Sequence, residues 1–219
     1  MIRVAISSIR LRRTIAAVAA GSLAVAGLLV AVPSASAAPA DDSLDASYPI
    51  TGTTSIASTN STMNLGPGTL DAVLNVDNNT FTADLNLPPA TGSFTELGFV
   101  PVTATTEFVQ DGATTGSVDG NTGGISSTSK IIIRLTDVKI AGIDVPVGNS
   151  CQTSPATINL TSGDGFNVLL GGPVSGTYTI PKFSNCGLLN TPIINAVIPG
   201  SGNKISLTLG SPTVTVPSS

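Results

Sequence analysis

Few residues in this chain could assemble an active site, and their types and spacing test each kind of chemistry in turn. No histidine occurs anywhere. That removes Ser-His-Asp and Cys-His machinery, the commonest general base and the commonest zinc ligand. Ser127-Thr128-Ser129-Lys130 matches the S-x-x-K nucleophile pattern of penicillin-binding enzymes. That chemistry needs Ser and Lys on one helix face. Here the motif runs into Ile131-Ile132-Ile133 and reads as strand, where residues i and i+3 point to opposite faces. Paired carboxylates can hydrolyse glycosides, but Asp71, Asp77, Asp84 and Asp137 fall on polar faces or turns. The chain also has no Trp and only 2 Tyr from which to build a sugar platform. Asp119-Gly120-Asn121 and Asp77-Asn78-Asn79 carry oxygen ligands suited to calcium but lack the spacing of a dedicated loop, so turn chemistry accounts for both. The expectation is a protein that is not an enzyme, with no catalytic residue, no metal site and no cofactor.

The remaining chemically distinctive side chains are Cys151 and Cys186, the only two cysteines. In an exported chain the simplest use of two cysteines is one disulfide. Export is what the N-terminus predicts. Arg3, Arg10, Arg12 and Arg13 form a positive region, an uncharged stretch from Thr14 to Val32 follows, and Ala35-Ser36-Ala37 supplies an A-x-A cleavage site. Residues 1–37 thus read as a cleavable signal peptide, cut between Ala37 and Ala38. Arg12-Arg13 raises a twin-arginine route, which the following Thr14-Ile15-Ala16 fits poorly. No cysteine stands near the cleavage site to take a lipid, and Ser211 to Ser219 shows no sorting signal. A secreted or non-covalently envelope-associated product follows, with no transmembrane span after cleavage.

Of 219 residues, 182 remain after the 37-residue signal, enough for one domain with a real core. They keep five basic residues against all 13 acidic ones, a net charge of −8. Phosphate backbones require clustered Lys and Arg, so nucleic acid is excluded as a partner. Residues 38–46, with Asp41, Asp42 and Asp45, read as a flexible acidic leader, and residues 47–219 as a single domain.

Period-two alternation dominates that domain. Leu70, Ala72, Leu74 and Val76 alternate with polar neighbours, as do Phe81, Ala83, Leu85 and Leu87. Asp77-Asn78-Asn79-Thr80 between them suits a hairpin turn. Val102, Ala104, Thr106 and Phe108 share one face of a further strand. Lys130 to Ile140 is the strongest strand by β-branched content. Its apolar parity switches from Ile131, Ile133 and Leu135 to Val138 and Ile140, which predicts a bulge near Thr136-Asp137. Ala156 to Leu160, Val174 to Ile180 and Ile205 to Leu209 alternate likewise. Around 191–198 the pattern breaks, and Pro192 with Pro199-Gly200 brackets one short helix. Many short strands punctuated by Gly and Pro predict an all-β fold, an antiparallel β-sandwich with one disulfide.

Gly176-Thr177-Tyr178-Thr179-Ile180-Pro181, Phe183-Ser184-Asn185-Cys186-Gly187, Thr191-Pro192-Ile193-Ile194-Asn195 and Pro199-Gly200-Ser201-Gly202-Asn203 occur in that order and lead into Ile205 to Leu209. Over residues 125–210 this resembles a family of uncharacterised secreted proteins of actinobacteria. The resemblance implies export and β structure and brings no catalytic residue. The functional expectation is a non-catalytic secreted or envelope-associated protein that acts by surface binding, through a Thr/Ser/Asn-rich exterior. The alternative is a carrier of an apolar ligand such as an envelope lipid. It rests on Phe166 to Leu170 and Leu188 to Ile198, apolar stretches that do not alternate cleanly and suit a pocket or its mouth. The expected partner is accordingly a macromolecule or apolar ligand of the cell envelope.

Overall fold

A computed structural model describes residues 43–215. The signal peptide with its Ala37–Ala38 junction, and residues 38–42 of the leader, lie outside the described residues. Alternating apolar residues build most of the strands. The first is β1 (Ser43–Ile56), where Ala46, Tyr48 and Ile50 point inward and are buried. Ser43 to Ala46 already pair with Asn75 to Ala72, so this part of the sequence-read leader is strand. The next two strands are β2 (Ser61–Asn75) and β3 (Thr80–Asn86), joined through the expected turn with Asn79 at φ 52°. Asn tolerates that left-handed conformation better than other non-glycine residues.

β4 (Ala90–Glu96) and β5 (Val100–Gln110) form a second hairpin, and β6 (Thr114–Val118) leads into the long β7 (Ile125–Ile140). Short β8 (Ile143–Asp144) and β9 (Gln152–Thr153) pair with the far end of β7. β10 (Ala156–Ser162), β11 (Gly172–Ile180) and β12 (Phe183–Ser184) precede α1 (Asn190–Val197). β13 (Gly200–Leu209) and β14 (Thr213–Thr215) complete the described chain.

The sheet closes on itself, which corrects the sandwich expectation. The order β10-β11-β13-β1-β2-β3-β6-β7 returns to β10 because β7 also pairs with β10, from Ala156↔Ile131 to Thr161↔Ser126. The result is an antiparallel barrel of eight strands, with β4 and β5 added beside β7. Closure removes the unpaired backbone edges that an open sheet exposes. Inward and outward residues alternate along a strand in a sandwich and in a barrel alike, so the sequence pattern does not distinguish them.

β7 serves both parts of the fold. Its first half belongs to the barrel wall, with β6 on one side and β10 on the other. Its second half pairs with β5, and the register shifts where Thr105 faces Asp137 but Thr106 faces Leu135. The unmatched Thr136 is the bulge that the parity switch predicts, and it keeps Val138 buried after Leu135. The β4–β5 hairpin therefore leans over β2, where the absent side chain of Gly92 makes room for Met63.

Candidate functional site

Four apolar cavities follow one another through the core and share their walls. The first, about 20 Å³, lies beneath Phe166 and Val168, where the Tyr48 hydroxyl donates a hydrogen bond to the Val168 carbonyl at 2.6 Å. It shares Leu70, Phe81, Ile125 and Leu209 with a barrel cavity of about 60 Å³. Phe108 separates that cavity from one of about 40 Å³. Phe94, Ala104 and Ile198 in turn separate the third from a groove of about 170 Å³ that opens to solvent. The inner three are water-sized, so the barrel interior is filled by side chains and does not form a cup.

The groove is built where α1 crosses the ends of β4, β5 and β7. Period two on β5 and the bulge on β7 together turn Val100, Val102, Val138 and Ile140 toward it, and α1 supplies Ile193, Ile194 and Val197. On β4 the inward row Ala90, Gly92, Phe94 continues to Glu96, the one ionisable residue of the groove lining. The lining surface is wholly apolar, so Glu96 contributes its methylene stem and its carboxylate lies outside the lining. The rim exposes large apolar side chains: Leu97 at 76%, Ile193 at 56%, and Phe99 and Ile143 at 76% and 72% on adjoining hairpin tips. The Ala141 amide ties the tips together by donating to the Pro101 carbonyl at 2.8 Å.

An eight-residue helix is unstable alone, and α1 has no side-chain N-cap. It is held by its neighbours. Asn195 brackets Phe183, accepting from its amide at 2.7 Å and donating to its carbonyl at 2.8 Å. Asn190 donates to the Pro146 carbonyl at 2.8 Å, and the Thr191 hydroxyl accepts from the Cys186 amide at 3.1 Å. Cys186 is disulfide-bonded to Cys151, as expected, and both are fully buried. The disulfide thus fixes the segment that carries the groove's helical wall.

The other candidate residues lie apart from the groove or on the outer surface. Ser127 faces the barrel interior while Lys130 faces outward, which leaves the S-x-x-K motif without a functional pair. Asp71 and Asp84 sit opposite each other on β2 and β3, both exposed, with the Ser47 hydroxyl donating to Asp71. Asp119 accepts the amides of Asn121 and Thr122 at 2.8 and 3.0 Å in a turn, and these bonds hold its carboxyl below the usual range. Asp137 and Asp144 flank Lys139, whose ammonium is held above its ordinary value chiefly by the hydrogen bond to Asp144.

A second surface feature is a belt of small polar side chains. Thr80, Ser117, Ser126, Thr161, Ser175, Ser206, Thr53 and Asn64 follow one another through successive paired positions, one from each barrel strand. Each is the outward partner of the inward apolar row, so the barrel fold alone accounts for the belt.

Of the two non-alternating stretches, Leu188 to Ile198 contributes Ile193, Ile194, Val197 and Ile198 to the groove wall, and Phe166 to Leu170 contributes Phe166 and Val168 to the smallest of the four cavities at a separate site. Sequence reasoning did not single out Glu96. The period-two run from Ala90 through Phe94 places it on the inward face and was the available signal. No family model, curated protein or solved structure matches the chain. The resemblance over residues 125–210 accordingly rests on those residues alone.

Proposed function

We propose that this is a non-catalytic protein of the cell exterior that acts by binding, and that the α1 groove is its contact surface for an aliphatic group. The observation that carries this reading is a wholly apolar groove of about 170 Å³, open to solvent and rimmed by Leu97 and Ile193. Exposed apolar side chains around a concave apolar surface are the usual mark of a binding site. A chain without histidine, whose S-x-x-K serine and lysine face opposite ways, supports binding over turnover. Export is supported by the N-terminal signal pattern and is compatible with the disulfide. Among the described residues no helix is long and apolar enough to cross a membrane.

A carrier that encloses its ligand is the second reading, favoured by the shared walls of the four cavities. It requires Phe94, Phe108 and Ile198 to move, because the inner cavities measure only about 20–60 Å³. Titration of the purified protein with 1-octanol, followed by methyl NMR, separates the readings. Shifts confined to Val138, Ile194 and Val197 support the groove. Shifts that extend to Leu207 and Val174 inside the barrel support the carrier. Absence of saturable shifts at either place rejects both, and turnover of an ester, peptide or cell-wall substrate rejects a non-catalytic role.

A further inference from the structure

Resting on the groove as a binding site for an aliphatic group, we propose that its ligand is a single-chain amphiphile with a cationic head group, and that the Glu96 carboxylate receives the head. The groove's size limits the tail. A cavity of about 150 Å³ accommodates a six-carbon ring, and this one measures about 170 Å³. The adjoining cavity of about 40 Å³, behind Phe94, Ala104 and Ile198, adds space for one or two methylenes once the Phe94 or Ile198 side chain shifts. The space suits one chain of about eight carbons and leaves none for a second chain.

Charge selects the head. Glu96 is the one acidic residue among those lining the groove and the cavity behind it, and no Lys or Arg lines either. Among the described residues its carboxylate has no ion-pair partner. The one cation at this end of β7, Lys139, is already engaged by Asp137 and Asp144. With Glu96, these groups sum to −2. Helix α1 carries no charged residue. An anionic head would meet repulsion from these carboxylates. A neutral head would gain at most a hydrogen bond from Glu96, without the charge attraction. An ammonium at the rim would pair with it while the tail follows the apolar wall.

The test compares octylammonium, octanoate and 1-octanol, each below its micellar concentration, by methyl NMR titration at low salt. The proteins are the wild type, Glu96→Gln and Ile193→Lys. Both substitutions alter exposed or half-buried positions at the rim, which preserves the fold. In the wild type, octylammonium should bind about 1.5- to fivefold more tightly than octanol, the range of an exposed ion pair, and octanoate more weakly than both. Hexylammonium should lose about fourfold per methylene removed. Glu96→Gln should bring octylammonium to the affinity of octanol and leave octanol unchanged. Ile193→Lys should weaken octylammonium more than octanol. Octanoate binding as tightly as octylammonium, or an ammonium preference that survives Glu96→Gln, overturns the cationic head while octanol binding upholds the groove. If none of the probes shifts the groove methyls, the head-group assignment and the groove fall together.

Discussion

Tyr178 and Thr54 show how a buried polar pair sets the cost of a single substitution. Their hydroxyls lie 2.7 Å apart in the core, and Thr54 also donates to the Lys204 carbonyl at 3.0 Å. Burial pushes the Tyr178 phenol above its ordinary value, partly offset by the bond to Thr54. Thr54→Val leaves that phenol without a partner and removes one hydrogen bond from the Lys204 carbonyl, at a cost of about 1–3 kcal/mol. Tyr178→Phe leaves Thr54 its second partner, so the loss should be about 0.5–1.5 kcal/mol. Urea unfolding of the two variants gives the order; a larger loss for Tyr178→Phe would refute the assignment. Neither partner was legible as a pair, because 124 residues separate them. Alternation alone put Tyr178 on the inward side of its strand.

Glycines mark the places where elements approach closely. A side chain on Gly52 would meet the Ser206 carbonyl oxygen at 2.2 Å, in the β1–β13 ladder. One on Gly92 would meet Met63, a flexible side chain, at 2.4 Å. Gly52→Ala should cost about 1–3 kcal/mol, because backbone must shift. Gly92→Ala should cost less, since Met63 can change rotamer. Comparison of denaturation midpoints tests this difference. The elements themselves were largely legible. The hairpin at Asn78-Asn79, the bulge at Thr136 and the helix near 191–198 all follow from local pattern. The β4 strand was less so, because Gly92 interrupts its apolar row with a residue that reads as loop. The groove was correspondingly obscure: three strands and a helix build it, and only the helix and two of the strands had been read from the sequence.

The disulfide couples the site to the whole molecule. With a sequence separation of 35, Cys151–Cys186 closes a loop that contains β10 and β11 of the barrel wall and anchors the segment leading into α1. Replacement of both cysteines by alanine should lower stability by about 3–4 kcal/mol in the chain-entropy description. Loss of hydrogen-exchange protection should appear first at β12 and α1, whose remaining ties are the two-residue pairing of β12 with β9, the buried Phe183 and Ile194, and side-chain hydrogen bonds from Asn190, Thr191 and Asn195. An unchanged unfolding midpoint would contradict this. By itself the sequence determined the strand content, the inward and outward faces and the cysteine pairing. These follow from residue type and from periodicities shorter than one element. Only the tertiary structure decided that the sheet closes through β7 and β10, that the interior is filled, and that Glu96 stands at the mouth of an apolar groove. Each of these depends on which distant strands become neighbours, and one strand's alternation is equally compatible with many partners.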